Sequence, residues 1–330
     1  MSHLSPTQRQ LIHSFPRPKI GEEESATLDR ALNILALIRD IGLILAPESL
    51  EWNLQQLVPG QGPLRILQRR LCLTELAAEE LPDHSKVFGP LALSFDNAKL
   101  RDAGAMPVVY IPQGLSTPLS LIGTFCVNGT HHTKYVLEQL QQLKSLSNPQ
   151  GATQAFSRTV VPDYTLNLQN TDARGQVVAS HTVPASHVQH VLQYVGFNNI
   201  PFDHSIGILS VFLNMFCPTD NLHLNEPLGY YRQREWRLIA GDMRINGHPL
   251  GRELSGEEKQ RLAAIDPIFW NRTLDVDGAS VQRKDLAFVY DPAPGWQPLD
   301  LIQAIHAPEN AVARVKQVVG DKVPVHKVMS

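Results

Sequence analysis

Hydrophobic spacing changes period several times along the chain. Gln10-Leu11-Ile12-His13-Ser14-Phe15 is a short apolar stretch closed by Pro16 and Pro18, which predicts a strand running into a loop. Glu22, Glu23 and Glu24 precede Leu28, Leu32, Leu35 and Ile38, spaced three to four apart as on one helix face. The acids suit the positive end of that helix, Gly42 terminates it, and Pro47 closes the segment that follows. Strands are predicted over 70–75, 91–95 and 107–111, with a short polar stretch containing His84 after the first and a connection through Gly104 before the last.

Val136, Leu140 and Leu143 share a face and predict a helix over 135–146. Residues 147–180 are polar and rich in turn formers, an ordered excursion or a mobile loop. Helices are expected over 187–194 and 206–216, a strand over 234–240 and a turn over 241–247. Ser255 and Glu258 have capping-box spacing and open a helix to about Ile265. A strand over 286–290, another over 301–306 unless that segment joins a short helix, and a helix over 311–319 complete the pattern. Short strands separated by unequal helices predict an α+β fold. The reading is a single domain over 1–330 with a variable helical and loop insertion around 115–215.

Composition narrows the class. The 330 residues are 43% hydrophobic and 18% charged, a globular balance with ample material for a core. The net charge of −3 excludes coating of nucleic acid by charge alone, so any such contact must be local. Cys72, Cys126 and Cys217 are odd in number, far apart and flanked by apolar residues, which predicts buried free thiols and no disulfide framework. The first ten residues lack the apolar core of a signal peptide, and no apolar run reaches the roughly 18 residues of a membrane span; a cytoplasmic protein with no membrane contact is the expectation.

No GxGxxG follows a strand, and GxxxxGK[ST], HExxH and GxSxG are absent. His131-His132 and the His187/His190 pair lack a third ligand nearby in sequence, so no metal is expected. His13 and Ser14 end the first strand, where a polar side chain is either satisfied by the backbone or offered to a ligand from a rigid element. Thr74 and Glu75 end the second predicted strand, and His84 follows. In Arg234-Glu235-Trp236-Arg237-Leu238, alternation puts Glu235 and Arg237 on one face and the other three on the opposite face. The carboxylate either forms a structural ion pair or, kept ionised by the arginine, holds a sugar hydroxyl or orients a nucleophile.

The order of these pieces resembles the AbiGi-type abortive-infection proteins. Three stretches carry the likeness: Ile12-His13-Ser14-Phe15 with the helix ending near Ile41-Gly42; Cys72-Leu73-Thr74-Glu75 through His84, Phe88-Gly89 and 91–95 to Gly104 and 107–111; and Tyr231 to Leu238, where the family has Glu-Arg-Glu-Trp-Arg. Gln233 stands where the family often has an acid, and Phe88 where a tyrosine is usual. That group is similar in layout to the ADP-ribosyltransferase class, including the DNA-modifying DarT toxins. The resemblance implies a split mixed or antiparallel sheet with flanking helices, and NAD as substrate without a metal. It implies that Glu235 is the catalytic carboxylate facing the nicotinamide ribose. His13 would then hold the adenosine-side ribose and Thr74 the nicotinamide pocket, with Ser14, Glu75, His84 and Arg237 also against NAD. The implied function is a toxin that transfers ADP-ribose to a nucleic acid (RNA or DNA) or a protein, with a cognate antitoxin or chaperone as partner. The alternative is a non-catalytic antitoxin or binding protein on the same scaffold, and the plainest reading is a regulatory protein whose Glu235 and Arg237 form an ion pair.

Overall fold

A computed structural model describes residues 9–55, 60, 62–113, 117–147, 165–171, 175–196, 202–219, 234–240, 244–245, 248–276, 278–291 and 295–328. The chain divides into two compact units, Met1–Asn128 with Ser210–Ser330, and Gly129–Leu209.

In the first unit, β1 (Gln10–Phe15) leads to α1 (Glu24–Ile41), whose Leu28, Leu32, Leu35 and Ile38 are all buried as the spacing predicts. β2 (Ile44–Trp52) contains Pro47 rather than ending at it. There β2 has β3 as its single ladder neighbour, because β16 reaches Ile44 and Leu45 alone, and a strand with an open edge tolerates proline. β3 (Leu64–Leu76) is more than twice the predicted length. The polar stretch around His84 is a helix, α2 (Leu81–Phe88), followed by β4 (Leu91–Phe95) and α3 (Asn97–Asp102). The strand predicted over 107–111 is two pieces, β5 (Met106–Pro107) and β6 (Val109–Pro112). α4 (Pro118–Ser147) starts well before the predicted helix and continues into the second unit.

The second unit holds the hairpin β7 (Thr165–Thr171) and β8 (Val177–Pro184), followed by α5 (Ala185–Tyr194). Residues 148–164 and 172–174 of the polar segment lie outside the described residues. α6 (Phe202–Asn214) returns the chain to the first unit, where Phe216 opens β9 (Phe216–Thr219) rather than ending a helix. β10 (Glu235–Ala240) follows. In the predicted turn, β11 (Arg244–Ile245) pairs with β12 (His248–Pro249), and 241–243 and 246–247 lie outside the described residues. β13 (Gly251–Glu253) precedes α7 (Gly256–Ile265), which is opened by the Ser255–Glu258 capping box, and α8 (Pro267–Trp270). The hairpin β14 (Thr273–Val276) and β15 (Ala279–Gln282), α9 (Arg283–Leu286), β16 (Phe288–Tyr290), β17 (Ile302–Ala307), α10 (Val312–Val319) and β18 (Val325–Lys327) finish the chain.

The fold is α+β, with a main sheet ordered β13-β16-β2-β3-β1-β4-β17-β18, antiparallel except for β17 and β18. Leu71, Leu73, Leu93, Phe95 and Leu238 point from one face into the main core with α1 and α10. β3 is the strand that organises the rest. β10 pairs with it over 69–74, β2 over 64–70 and β1 over 74–76. Thr74 is opposite both Ile12 and Glu235, and Arg70 opposite both Ala46 and Ile239. β1 and β2 therefore share one edge of β3, with β10 on the other, and 71–73 face a fork between β1 and β2.

Candidate functional site

Alternation along β3 and β10 builds a polar sheet face opposite the main core. Glu235 is cross-strand from Thr74 and Arg237 from Cys72, while Trp236 and Leu238 pack on the core side. Arg237 is 1% exposed, which requires its donors to be satisfied internally. Its Nε donates to Glu235 Oε1 at 2.9 Å and its Nη1 to Gln68 Oε1 at 3.0 Å. Arg70 also donates to Gln68 Oε1, at 2.9 Å, and is bonded to Glu48. The second Glu235 oxygen accepts from the Tyr110 hydroxyl at 2.5 Å. Burial alone would raise the Glu235 pKa, but Arg237, Tyr110 and Cys72 outweigh it and hold the carboxylate below its usual range. Burial and the adjacent Glu235 push the Tyr110 hydroxyl the other way, so it stays protonated as a donor.

Beside this pair, α2 places His84 between two strands. Its Nδ1 is 3.0 Å from Ser14 Oγ and its Nε2 is 3.2 Å from Thr74 Oγ1. Phe88, one turn on, stacks on the His84 ring at 4.4 Å, and Arg17 lies over Phe88 at 4.9 Å. The aromatic ring at position 88 therefore supports His84 by stacking and needs no hydroxyl to do so. His13 lies at the fork, with Nδ1 2.8 Å from the Cys72 carbonyl. A carbonyl only accepts, so Nδ1 carries the proton and Nε2 of the neutral ring is an acceptor. Burial pushes His13 down to about 4, against the Cys72 bond and with help from His84, and burial does the same to His84, also to about 4.

Cys72 corrects the expectation of buried thiols. Cys72 and Cys126 are exposed and Cys217 half-buried. The Cys72 thiol is pushed up to about 12, first by burial and then by Glu235 against the pull of Arg70 and Arg237. Cys72, opposite Arg237, sits at the fork. Its protonated thiol is a weak nucleophile.

Of the residues predicted from sequence, Glu235, Arg237, Thr74, Ser14 and His84 gather on this one sheet face. His13 does not: it precedes Ser14 on β1 and stands opposite Leu93, so it belongs to the other face and meets the fork only at the Cys72 carbonyl. Glu75 is turned away: it follows Thr74 on the strand, so it points to the opposite face, and its backbone N–H donates to Arg234 at 3.1 Å. Tyr110, Gln68, Arg70 and Cys72 join the site without having been singled out as candidates. Arg234, directly before Glu235, has a φ of 46°, a left-handed conformation uncommon outside glycine, and is tied to Glu80 at 2.7 Å. Tyr231 and Gln233 lie outside the described residues.

Among the described residues no group of three or more histidine, cysteine, aspartate or glutamate side chains could hold a metal ion, and no helix is long and apolar enough to cross a membrane. No protein-family model, no curated protein and no solved structure matches the chain.

Proposed function

We propose that the chain is an NAD-dependent ADP-ribosyltransferase, the toxin of a phage-defence or toxin–antitoxin system, with Glu235 as its catalytic carboxylate. One observation carries the reading: an ionised, largely buried carboxylate set between Arg237 and Tyr110 on the sheet face shared with Ser14, Thr74 and His84, next to the fork that His13 meets from the other face. The strained backbone of Arg234 agrees with it, since strain concentrates where a side chain is aimed for use. The fork between β1 and β2 supports the reading in so far as it opens the sheet beside Glu235.

In the proposed reaction the bond between C1′ of the ribose and the nicotinamide nitrogen breaks, and nicotinamide leaves neutral with the bonding pair. Positive charge develops on C1′ and the ring oxygen, and Glu235 stabilises it as it appears. The acceptor's lone pair then forms the new bond to C1′ and its proton leaves to water. The lowered Glu235 pKa favours charge stabilisation and a bond to a ribose hydroxyl over general-base work. A carboxylate has about four lone-pair sites, more than the Tyr110, Arg237 and Cys72 contacts take up. His13 Nε2 offers an acceptor at the fork from the other face.

The test is wild type beside Glu235→Gln with adenylate-labelled NAD and mixed RNA, DNA and protein acceptors. Wild type is expected to release nicotinamide and label an acceptor, and the variant to lose at least about a hundredfold in rate while still being stabilised by NAD, by about 2.7 kcal/mol at a hundred times the dissociation constant. Wild type showing neither turnover nor a thermal shift with NAD sinks the proposal.

A second reading, a non-catalytic antitoxin or binding protein, is favoured by the same network seen differently. Both Glu235 oxygens are engaged, and Arg237 continues the chain to Gln68 and Arg70, as a structural ion pair would. It predicts that Glu235→Gln alters stability alone and that a co-encoded protein is the toxic one.

A further inference from the structure

The foot of the β14–β15 hairpin concentrates positive charge. Thr273 and Gln282 form its last ladder pair, and one step further the Arg283 N–H donates to the Arg272 carbonyl at 2.9 Å. Two arginines thus stand opposite one another, an arrangement that repels. Lys284 follows, with Nζ on the neutral Asn271 Oδ1 at 2.9 Å. Among the described residues none of Arg272, Arg283 and Lys284 has a carboxylate within ion-pair distance. The nearby acids are committed elsewhere: Glu48 to Arg70, Glu51 and Asp275 to Arg65, Asp285 to Lys259.

Arg283 is half-buried, and its Nε is enclosed without a hydrogen-bond partner. Burial and then Arg272 lower its pKa, with Glu48 pulling weakly the other way, as expected of a cation short of an anion. Its guanidinium lies 4.4 Å from the centre of the Phe269 ring, which is 37% exposed, and Ile268 beside it is 79% exposed. Trp270 packs on the same ring at 4.8 Å, nearly perpendicular, so what Phe269 offers is a partly exposed ring backed by Arg283 and Trp270. Cations beside a partly exposed aromatic ring suit phosphates and unstacked bases together.

We propose that this hairpin foot binds single-stranded nucleic acid, with phosphates on Arg272 and Lys284 and a base against the Phe269–Arg283 platform. An acidic peptide would use the charges but leave the exposed part of the ring without a role. A chain of net charge −3 can hold a polyanion only through such a segregated patch. The binding needs neither NAD nor Glu235, so it stands or falls separately from the transfer reaction.

The test is fluorescence anisotropy of the full chain with labelled oligothymidylate and oligouridylate of about 20 nucleotides, at about 50 and about 200 mM salt. R272E/K284E is expected to lose at least about tenfold in affinity, with a log–log salt slope shallower by about 1.4, some 0.7 for each lost phosphate contact. F269A should weaken binding without changing that slope. R272Q/K284Q, milder in charge, should give a smaller loss of the same kind and serves if the glutamate variant does not fold. Equal binding by wild type and R272Q/K284Q, no oligonucleotide binding by wild type, or binding of labelled polyglutamate as tight as that of the oligonucleotides would each overturn the proposal.

Discussion

A guanidinium that is 1% exposed must have its donors met inside the protein, and Arg237 places them on Glu235 and Gln68. Replacing it with methionine fills similar volume but leaves the Glu235 carboxylate buried beside no cation. Arg237→Met is expected to cost about 3–5 kcal/mol in urea unfolding, and the double variant with Glu235→Gln less than the sum of its parts. A variant that unfolds with wild type would contradict the network. Strand alternation made the Glu235–Arg237 pair legible in sequence, because it depends on a spacing of two. The same rule, applied to Thr74 and Glu75, would have turned Glu75 away. Tyr110 and Gln68 were not legible, since they lie 125 and 169 positions from the residues they bond, and an isolated tyrosine or glutamine in a strand carries no local signal.

Elements were readable where one face repeats and obscure where it does not. α1 buries a regular stripe, whereas α2 buries Leu81 alone, so the helix that carries His84 has no period to detect. β3 was foreshortened because Gln68, Arg69 and Arg70 dilute its apolar pattern; Gln68 is nevertheless 1% exposed, capped by the Phe216 carbonyl at 3.3 Å. The turn between α2 and β4 is held by Gly89, with φ 134°. A Cβ there would lie 2.3 Å from the Phe15 carbonyl carbon and 2.6 Å from the Phe15 and Pro16 oxygens. Gly89→Ala must therefore displace the end of β1, the strand that carries His13 and Ser14. We expect a loss of about 2–4 kcal/mol in urea unfolding. A change within about 0.5 kcal/mol, the range of ordinary surface substitutions, would show that the approach is looser than this.

At the scale of the whole molecule, the α+β class was legible because it follows from the succession of short strands and helices. The order of strands on β3 was not, because it rests on pairings between distant segments. The half-buried histidines give the molecule a pH dependence whose sign can be worked out. His13 and His84 fall from 6.5 to about 4 on folding, so the unfolded chain binds more protons between those values. Their contribution is fully present above 6.5 and is lost as pH falls towards 4. Glu235, lowered below its usual 4.5, is also more stable ionised and is lost in the same direction at lower pH. Melting temperature is expected to drop steeply from about pH 6.5 to about pH 4.5, and less steeply in His84→Asn. A flat profile in wild type would mean that both rings charge freely in the folded protein.

The fork has a mechanical consequence. β1 and β2 both hang on β3 and are not hydrogen-bonded to each other. The sheet is therefore bound like two pages on one spine, with the crease at 71–73. β10, paired with 69–74, splints the crease from the other edge. A ligand seated in the crease would stitch the pages together, so amide exchange should slow in β1 and β2 at once.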